Sequence, residues 1–291
     1  TGYTAGTADS TIKAKFNDNT GYTEDKHYIL SDTSTEINAA NGYLYNDFDM
    51  ISHGDITLIS GKDLTIGGAA GNVKSIEADR NVIIRSSAGT VHNDSHIISN
   101  NKNVILDGYA GVTSGDRDSL QAKNGSISAV SEAGDIEMKE LVAGKMAVAG
   151  TGKTGAKNDI KIGAIEGEDV VLYTENENST ISVGKNGIKV KDHLFLQGNN
   201  FDLPPKIDRP EGSVGTLFVD VNGIGKDGTS SAVKGCLKLD IDGDVRFTTL
   251  NVTDAEVKVG GKLGIDKLHV GGRAIFDSMG YVTGVYGRAP Y

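Results

Sequence analysis

The stretch Gly54-Asp55-Ile56-Thr57-Leu58-Ile59-Ser60-Gly61-Lys62-Asp63-Leu64-Thr65-Ile66 holds two copies of one short unit. In each, a glycine and an aspartate precede an apolar–polar–apolar triplet. Alternation with period two marks a half-buried strand, because successive strand side chains point to opposite faces. The unit recurs in Asn81-Val82-Ile83-Ile84, Asn103-Val104-Ile105-Leu106, Gly134-Asp135-Ile136-Glu137-Met138, Asn158-Asp159-Ile160-Lys161-Ile162 and Asp169-Val170-Val171-Leu172. It resumes in Gly243-Asp244-Val245-Arg246-Phe247, Ala255-Glu256-Val257-Lys258-Val259 and Gly272-Arg273-Ala274-Ile275-Phe276. Asn, Asp and Gly between the runs supply turns.

The spacing of the units sets the architecture. First apolar positions at 64, 82, 104 and 127 are 18, 22 and 23 residues apart; 136 to 160 is 24 and 160 to 181 is 21. A step near 20 residues holding two or three short strands is the signature of one coil of a parallel β-helix, or solenoid. A single coil cannot bury its own apolar side, whereas stacked coils bury a continuous column. About 230 residues at about 21 per coil make about 11 coils and a rod of about 50 Å. The competing fold is an antiparallel sandwich or barrel. Spacings such as 56 to 64, 127 to 136 and 237 to 245 fit its strand-to-strand interval. The best helical candidate, Glu132 to Ala149, is interrupted by Gly134 and Gly144.

Composition narrows the function classes. The 291 residues include 39 glycines, about 13% against a usual 7%, with four prolines, no tryptophan and 6% aromatics. The glycines keep no triplet period, which excludes collagen. Recurrent Val, Ile and Leu exclude a disordered chain. No apolar stretch approaches the roughly 18 residues of a membrane helix, so no membrane insertion is expected. A net charge of −10 argues against nucleic acid, whose phosphates would be repelled. The single cysteine, Cys236, has no partner for an internal disulfide. The chain opens Thr1-Gly2-Tyr3 without an initiator methionine or signal peptide, and reads as a mature product or a piece of something longer.

The chain divides into four segments. Residues 1–47 are rich in Asn, Asp, Thr and Tyr and read as irregular N-terminal coils, their tyrosines either covering an end of the column or forming a contact patch. Residues 48–197 are β-helix. Residues 198–235 carry Pro204, Pro205 and Pro210 and read as an insertion leaving the coil. Its charged residues Asp202, Lys206, Asp208, Arg209 and Glu211 are candidate partner contacts; a packing flap without a ligand fits equally well. Residues 236–291 return to β-helix and form the C-terminal end.

Several apparent chemical motifs are incomplete. Ala147-Val148-Ala149-Gly150-Thr151-Gly152-Lys153-Thr154 approximates a phosphate loop, but loop and strand follow it where a helix is needed. Asp240-Ile241-Asp242-Gly243-Asp244 resembles a calcium loop, yet position 6 is Val245 and position 12 is Asn251. His92 and His96 have helical zinc-site spacing without a helix signal. No Gly-x-Ser-x-Gly elbow precedes a helix. No catalytic residue, cofactor or metal is therefore assigned. Two rival classes share the β-helix: enzymes acting on acidic polysaccharides and phage-type tail spikes. The enzymes gather carboxylates and an Arg on one coil face, from positions distant in sequence.

The Gly-Asp-Ile-x-Leu and Gly-Lys-Asp-Leu-x-Ile units, with Leu120-Gln121-Ala122-Lys123-Asn124-Gly125-Ser126-Ile127 and Gly260-Gly261-Lys262-Leu263-Gly264-Ile265, resemble the repeats of filamentous-haemagglutinin-like adhesins of two-partner secretion. Among these, leukotoxin-family filamentous adhesins are the nearest in pattern. The resemblance covers roughly residues 50–197 and 236–285. It implies a right-handed β-helix, secretion through an outer-membrane transporter, and display at the bacterial cell surface as an adhesive rod. The implied partners are a glycan or protein receptor on host or bacterial cells, and further copies of the chain in a fibre. The family's Asn-Pro-Asn type secretion motif has no counterpart here.

Overall fold

The computed structural model describes residues 3–4, 10–11, 28–67, 73–115, 118–204, 206–225, 229–280 and 282–283. These residues form strands without helix, wound into about 11 stacked parallel coils. The chain is a β-solenoid. Each coil has three faces. The first face includes Thr35–Ala39, Ile56–Ser60, Val82–Ser86, Val104–Gly108, Ile127–Ser131 and Met146–Thr151. The second includes Leu44–Asn46, Leu64–Ile66, Val91–Asn93 and Val112–Ser114. The third includes Tyr28–Ser31, Asp49–Ser52, Lys74–Ala78, Ser95–Ser99 and Ser119–Ala122. Later coils run through corners without losing strand geometry, as in Ile160–Thr174 and Thr180–Gln197.

Register is kept from coil to coil. On the first face Ile56, Val82, Val104, Ile127, Ala147, Val170, Leu194, Val219, Phe247 and Ile265 stack in turn. On the third face Met50, Ile76, Ile97, Leu120, Leu141, Ile165, Ile188, Ile207, Ile241 and Val259 do the same. All of these side chains are buried. The column they form is the apolar core that no single coil could make. Coil length varies. Ile241 to Val259 is a step of 18 residues, whereas Ile207 to Ile241 is a step of 34. The 18-residue interval from 64 to 82 joins two faces: Leu64 stacks on Val91, and Val82 on Ile56. The short spacings that suit a sandwich separate successive faces: 56 to 64 and 127 to 136 within one coil, and 237 to 245 from the third face of one coil to the first face of the next.

The repeating Gly-Asp step has two physical causes. A Cβ on Gly54 would overlap the Thr33 carbonyl oxygen, and one on Gly125 would overlap that of Lys102. Adjacent coils touch backbone to backbone there, and only hydrogen fits. The polar residue then bonds to the next coil. Asp55 Oδ1 accepts the Asn81 N–H at 2.9 Å, Asn81 Oδ1 accepts the Asn103 N–H at 3.2 Å, and Asn103 Oδ1 accepts the Ser126 N–H at 3.0 Å. Asp135 and Asp159 form a second ladder, accepting the Asp159 and Thr180 N–H groups. These corners would otherwise leave backbone donors unpaired. Buried hydroxyls act likewise at strand ends: Ser86 Oγ donates to the Lys62 carbonyl at 2.6 Å and accepts the Gly89 N–H at 2.9 Å.

The departure from the coil is narrower than residues 198–235. Asn200–Asp202 stacks on Thr180–Ser182, Ile207 on Ile188, and Phe218 on His193, all in parallel. Pro204 and Pro210 occupy connections between strands, where the missing N–H breaks no ladder. The part that leaves is a small antiparallel pair, Gly223 and Ile224 against Ser231 and Ser230. It lies within the longest step, between Ile207 and Ile241. In the N-terminal segment, Thr35–Ala39 and Leu44–Asn46 are regular coil strands. Tyr43 and Tyr45 are exposed on the side of the column, with Lys62 Nζ 4.7 Å from the Tyr43 ring centre. Pro205, Tyr22, the side chains of Tyr3 and Tyr28, and most of the C-terminal segment 281–291 lie outside the described residues.

Gly125→Ala is expected to lower the unfolding free energy by about 1–3 kcal/mol, since the new methyl meets backbone. Asn103→Ala should cost about 1–2 kcal/mol through the unpaired Ser126 N–H. Denaturant midpoints followed by circular dichroism check both.

Candidate functional site

Outward positions on the first face fall between the buried ones. In successive coils they read Ile83, Ile105, Ser128, Val148, Val171, Phe195 and Asp220 in one row, and Arg85, Asp107, Val130, Gly150, Tyr173, Gln197 and Asn222 in the next. Aromatic rings gather late on this face. Tyr173 is one rung before Gln197 and diagonal to Phe195. Phe218 stacks on the His193 ring with centroids 5.4 Å apart and planes 22° apart. Gly150 makes room for the first of them: a Cβ there would overlap the Tyr173 ring. The three aromatic side chains are each half-buried.

Beside this platform the corner loops enclose an open groove of about 950 Å³. Its floor and walls come from four successive coils: Lys153 and Gly155, then Glu175 to Asn178, then Phe195 and Gln197, then Asn222 to Gly225 with Thr229 and Ser230. The antiparallel pair forms one bank. The corner beneath is fixed by buried asparagines. Asn158 Nδ2 donates to the Gly152 and Thr154 carbonyls at 2.8 and 2.9 Å, and Asn176 Nδ2 donates to the Gly155 carbonyl at 3.0 Å. Asn199 Oδ1 accepts the Ile224 N–H at 2.7 Å, while its Nδ2 donates to the Ile224 carbonyl at 2.9 Å. Among the described residues the lining carries one lysine and two glutamates. Burial, followed by the charges of Glu175 and Glu132, raises the Tyr173 hydroxyl above its ordinary pKa.

The five charged residues expected to form a contact do not assemble into one site. Lys206 Nζ is 3.5 Å from Asp208 and 2.6 Å from Asp242 of the following coil. Arg209 is committed to backbone, donating from Nη1 to the Gly215 carbonyl at 2.9 Å and from Nη2 to that of Lys191 at 2.8 Å. Asp202 is exposed on the second face, opposite Ser182, and Glu211 is exposed in a turn. None of the five lines the groove. The middle residue of Leu194-Phe195-Leu196 places an apolar side chain in the groove, but Ile83, Ile105, Val148 and Val171 do the same in this row outside its described lining, so the triplets alone do not locate it.

The apparent motifs become coil contacts. His92 and His96 lie on different faces, with Nδ1 2.9 Å from Thr113 Oγ1 and 2.7 Å from Ser119 Oγ respectively. Asp240 pairs with Lys258, Asp242 with Lys206, and Asp244 accepts the Lys262 N–H. Residues 152–159 form the loop between Met146–Thr151 and Ile160–Thr174. No cluster of three or more His, Cys, Asp or Glu with metal-site geometry occurs among the described residues.

One buried carboxyl stands apart. Asp118 is 4% exposed, and neither of its oxygens has a well-formed hydrogen bond among the described residues. Desolvation raises its pKa to about 6, against opposing pulls from Ser114 and from the N–H and ammonium of Lys139. A carboxyl that holds its proton more tightly when folded loses stability as pH rises from its unfolded to its folded pKa. Asp118→Asn should therefore be more stable than the parent above about pH 6, by about 1–3 kcal/mol, with the difference closing towards about pH 4. Paired denaturation curves across that window test the sign.

No family model, curated protein or solved structure matches the chain.

Proposed function

We propose that the chain is a non-enzymatic rod segment of a bacterial surface filament or adhesin, exported through an outer-membrane transporter and presenting binding surfaces to host or neighbouring cells. The observation that carries this reading is the continuous first-face column of stacked residues from Ile56 to Ile265, which persists through local bulges in later coils. A column of that kind grows in length by repetition, and its product is reach and stiffness. Its outer surface suits exposure to water. Charges directly above one another tend to alternate in sign, as in Arg85 and Asp107, Glu166 and Lys189, and Lys238 and Glu256. Each such exposed pair is worth little, about 0–1 kcal/mol. At these positions opposite charges, not like ones, meet across adjacent coils. The likeness of the Gly-Asp-Ile-x-Leu units to adhesin repeats supports the same reading, and lateral or end-to-end association of copies follows from it.

The alternative, a polysaccharide-processing β-helix enzyme or phage-type spike, is favoured by the lateral groove with Glu175 and Glu177. Beads coated with the chain should attach to host epithelial or bacterial cells above albumin-coated controls, and incubation with polysaccharides should release no new reducing ends or unsaturated products. Small-angle scattering extrapolated to low concentration should show an elongated particle of about 50 Å per copy, with any association at higher concentration open-ended and not a closed trimer. Glycan cleavage would overturn the rod reading in favour of an enzyme, and a trimer would favour a spike.

A further inference from the structure

We infer that the lateral groove is a binding site for an uncharged oligosaccharide, with Phe195 as its stacking surface and the amides of Gln197 and Asn222 as its hydroxyl readers. This rests on the reading of the chain as an attachment rod and names the chemical class of one of its partners. Three observations converge. The first is the surface itself. In a chain with only 6% aromatics, Phe195 stands outward in the groove lining, with Tyr173 and Phe218 outward beside the groove on the adjacent coils of the same face. Outward rings leave apolar area exposed, and a flat ring at the edge of a groove suits the apolar C–H face of a sugar.

The second is the polar lining. A sugar presents neighbouring hydroxyls that both donate and accept. A side-chain amide offers a carbonyl acceptor and two N–H donors from one rigid plane, so it can meet such a pair. Gln197 and Asn222 are adjacent rungs of one outward row, and Phe195 lies two residues before Gln197 on the same face. Asn222 Oδ1 already accepts the Ser230 hydroxyl at 3.2 Å, which holds its plane. No hydrogen bond to a described residue engages the Gln197 amide. Glu175 and Glu177 supply further acceptors in the lining.

The third is charge. One lysine against two glutamates among the described lining residues, on a chain of net charge −10, repels sulfated or uronic-acid polymers. It leaves neutral sugars as the hydroxyl-rich class that fits. The lining spans four coils, hence three coil steps or about 14 Å. A volume of about 950 Å³ accepts a short oligosaccharide.

The test uses the full chain and an array of neutral gluco-, manno- and galacto-oligosaccharides, with heparin fragments and oligolysine as charged arms. Hits are titrated by calorimetry at low and high salt. A neutral oligosaccharide should bind, with an affinity that does not weaken with salt. Phe195→Leu, Gln197→Ala and Asn222→Ala should each weaken it at least about tenfold. Glu36→Ala, exposed on a coil towards the other end of the rod, should leave it unchanged. Circular dichroism and melting curves report whether each variant is folded; the two amide variants carry the test should Phe195→Leu unfold. Absence of any neutral hit, binding untouched in folded groove variants, or binding confined to heparin or to oligolysine and lost in salt would each overturn the inference. Bead attachment to cells is scored separately. Attachment without neutral-sugar binding sinks the groove assignment alone, whereas neutral-sugar binding without attachment sinks the rod reading alone.

Discussion

Each coil of this protein sits on the one before it, residue over residue, and that vertical register is the constraint from which the rest follows. The inward aliphatic positions are isolated within a coil and gain a neighbour only by stacking. Ile97 is covered because Ile76 lies on one side of it and Leu120 on the other. The same closeness forces glycine at Gly54 and Gly125, where backbone meets backbone. It also turns each corner Asp or Asn into a bridge to the next coil. Sequence pattern, core and corner chemistry are thus one geometric fact seen at three levels.

The triplets make the strand content and the solenoid legible, because an apolar–polar–apolar run with a Gly-Asp step can be read locally. The assignment of runs to faces cannot be read this way. Leu64 and Val82 look like consecutive units but belong to different columns, since loop lengths vary from coil to coil. In the proline-rich segment, local backbone chemistry points away from the coil, yet its short strands still stack. Two of the charged residues there, Lys206 and Arg209, are occupied in holding coils together, while Asp202 and Glu211 are exposed.

The groove is hidden from a local reading for the same reason. Tyr173, Phe195 and Phe218 are separated by 22 and 23 residues in the chain, and only the register makes them neighbours. A solenoid builds surfaces by summing one outward position per turn. Its binding features appear as rows across repeats, not as motifs within them. The small antiparallel pair formed by Gly223, Ile224, Ser230 and Ser231 adds a wall to such a row where the coil lengthens.

Engineered disulfides test in-register parallel stacking most directly. On a Cys236→Ser background, Ser75→Cys with His96→Cys places the two sulfur-bearing residues on directly stacked positions. Stacked Cα atoms lie about 4.8 Å apart, inside the range that a disulfide spans. Ser75→Cys with Ile98→Cys shifts the pair by two residues and takes it beyond that range. The register predicts rapid oxidation of the first pair and none of the second. Cross-linking of the shifted pair, or failure of the stacked one in a folded protein, would contradict it.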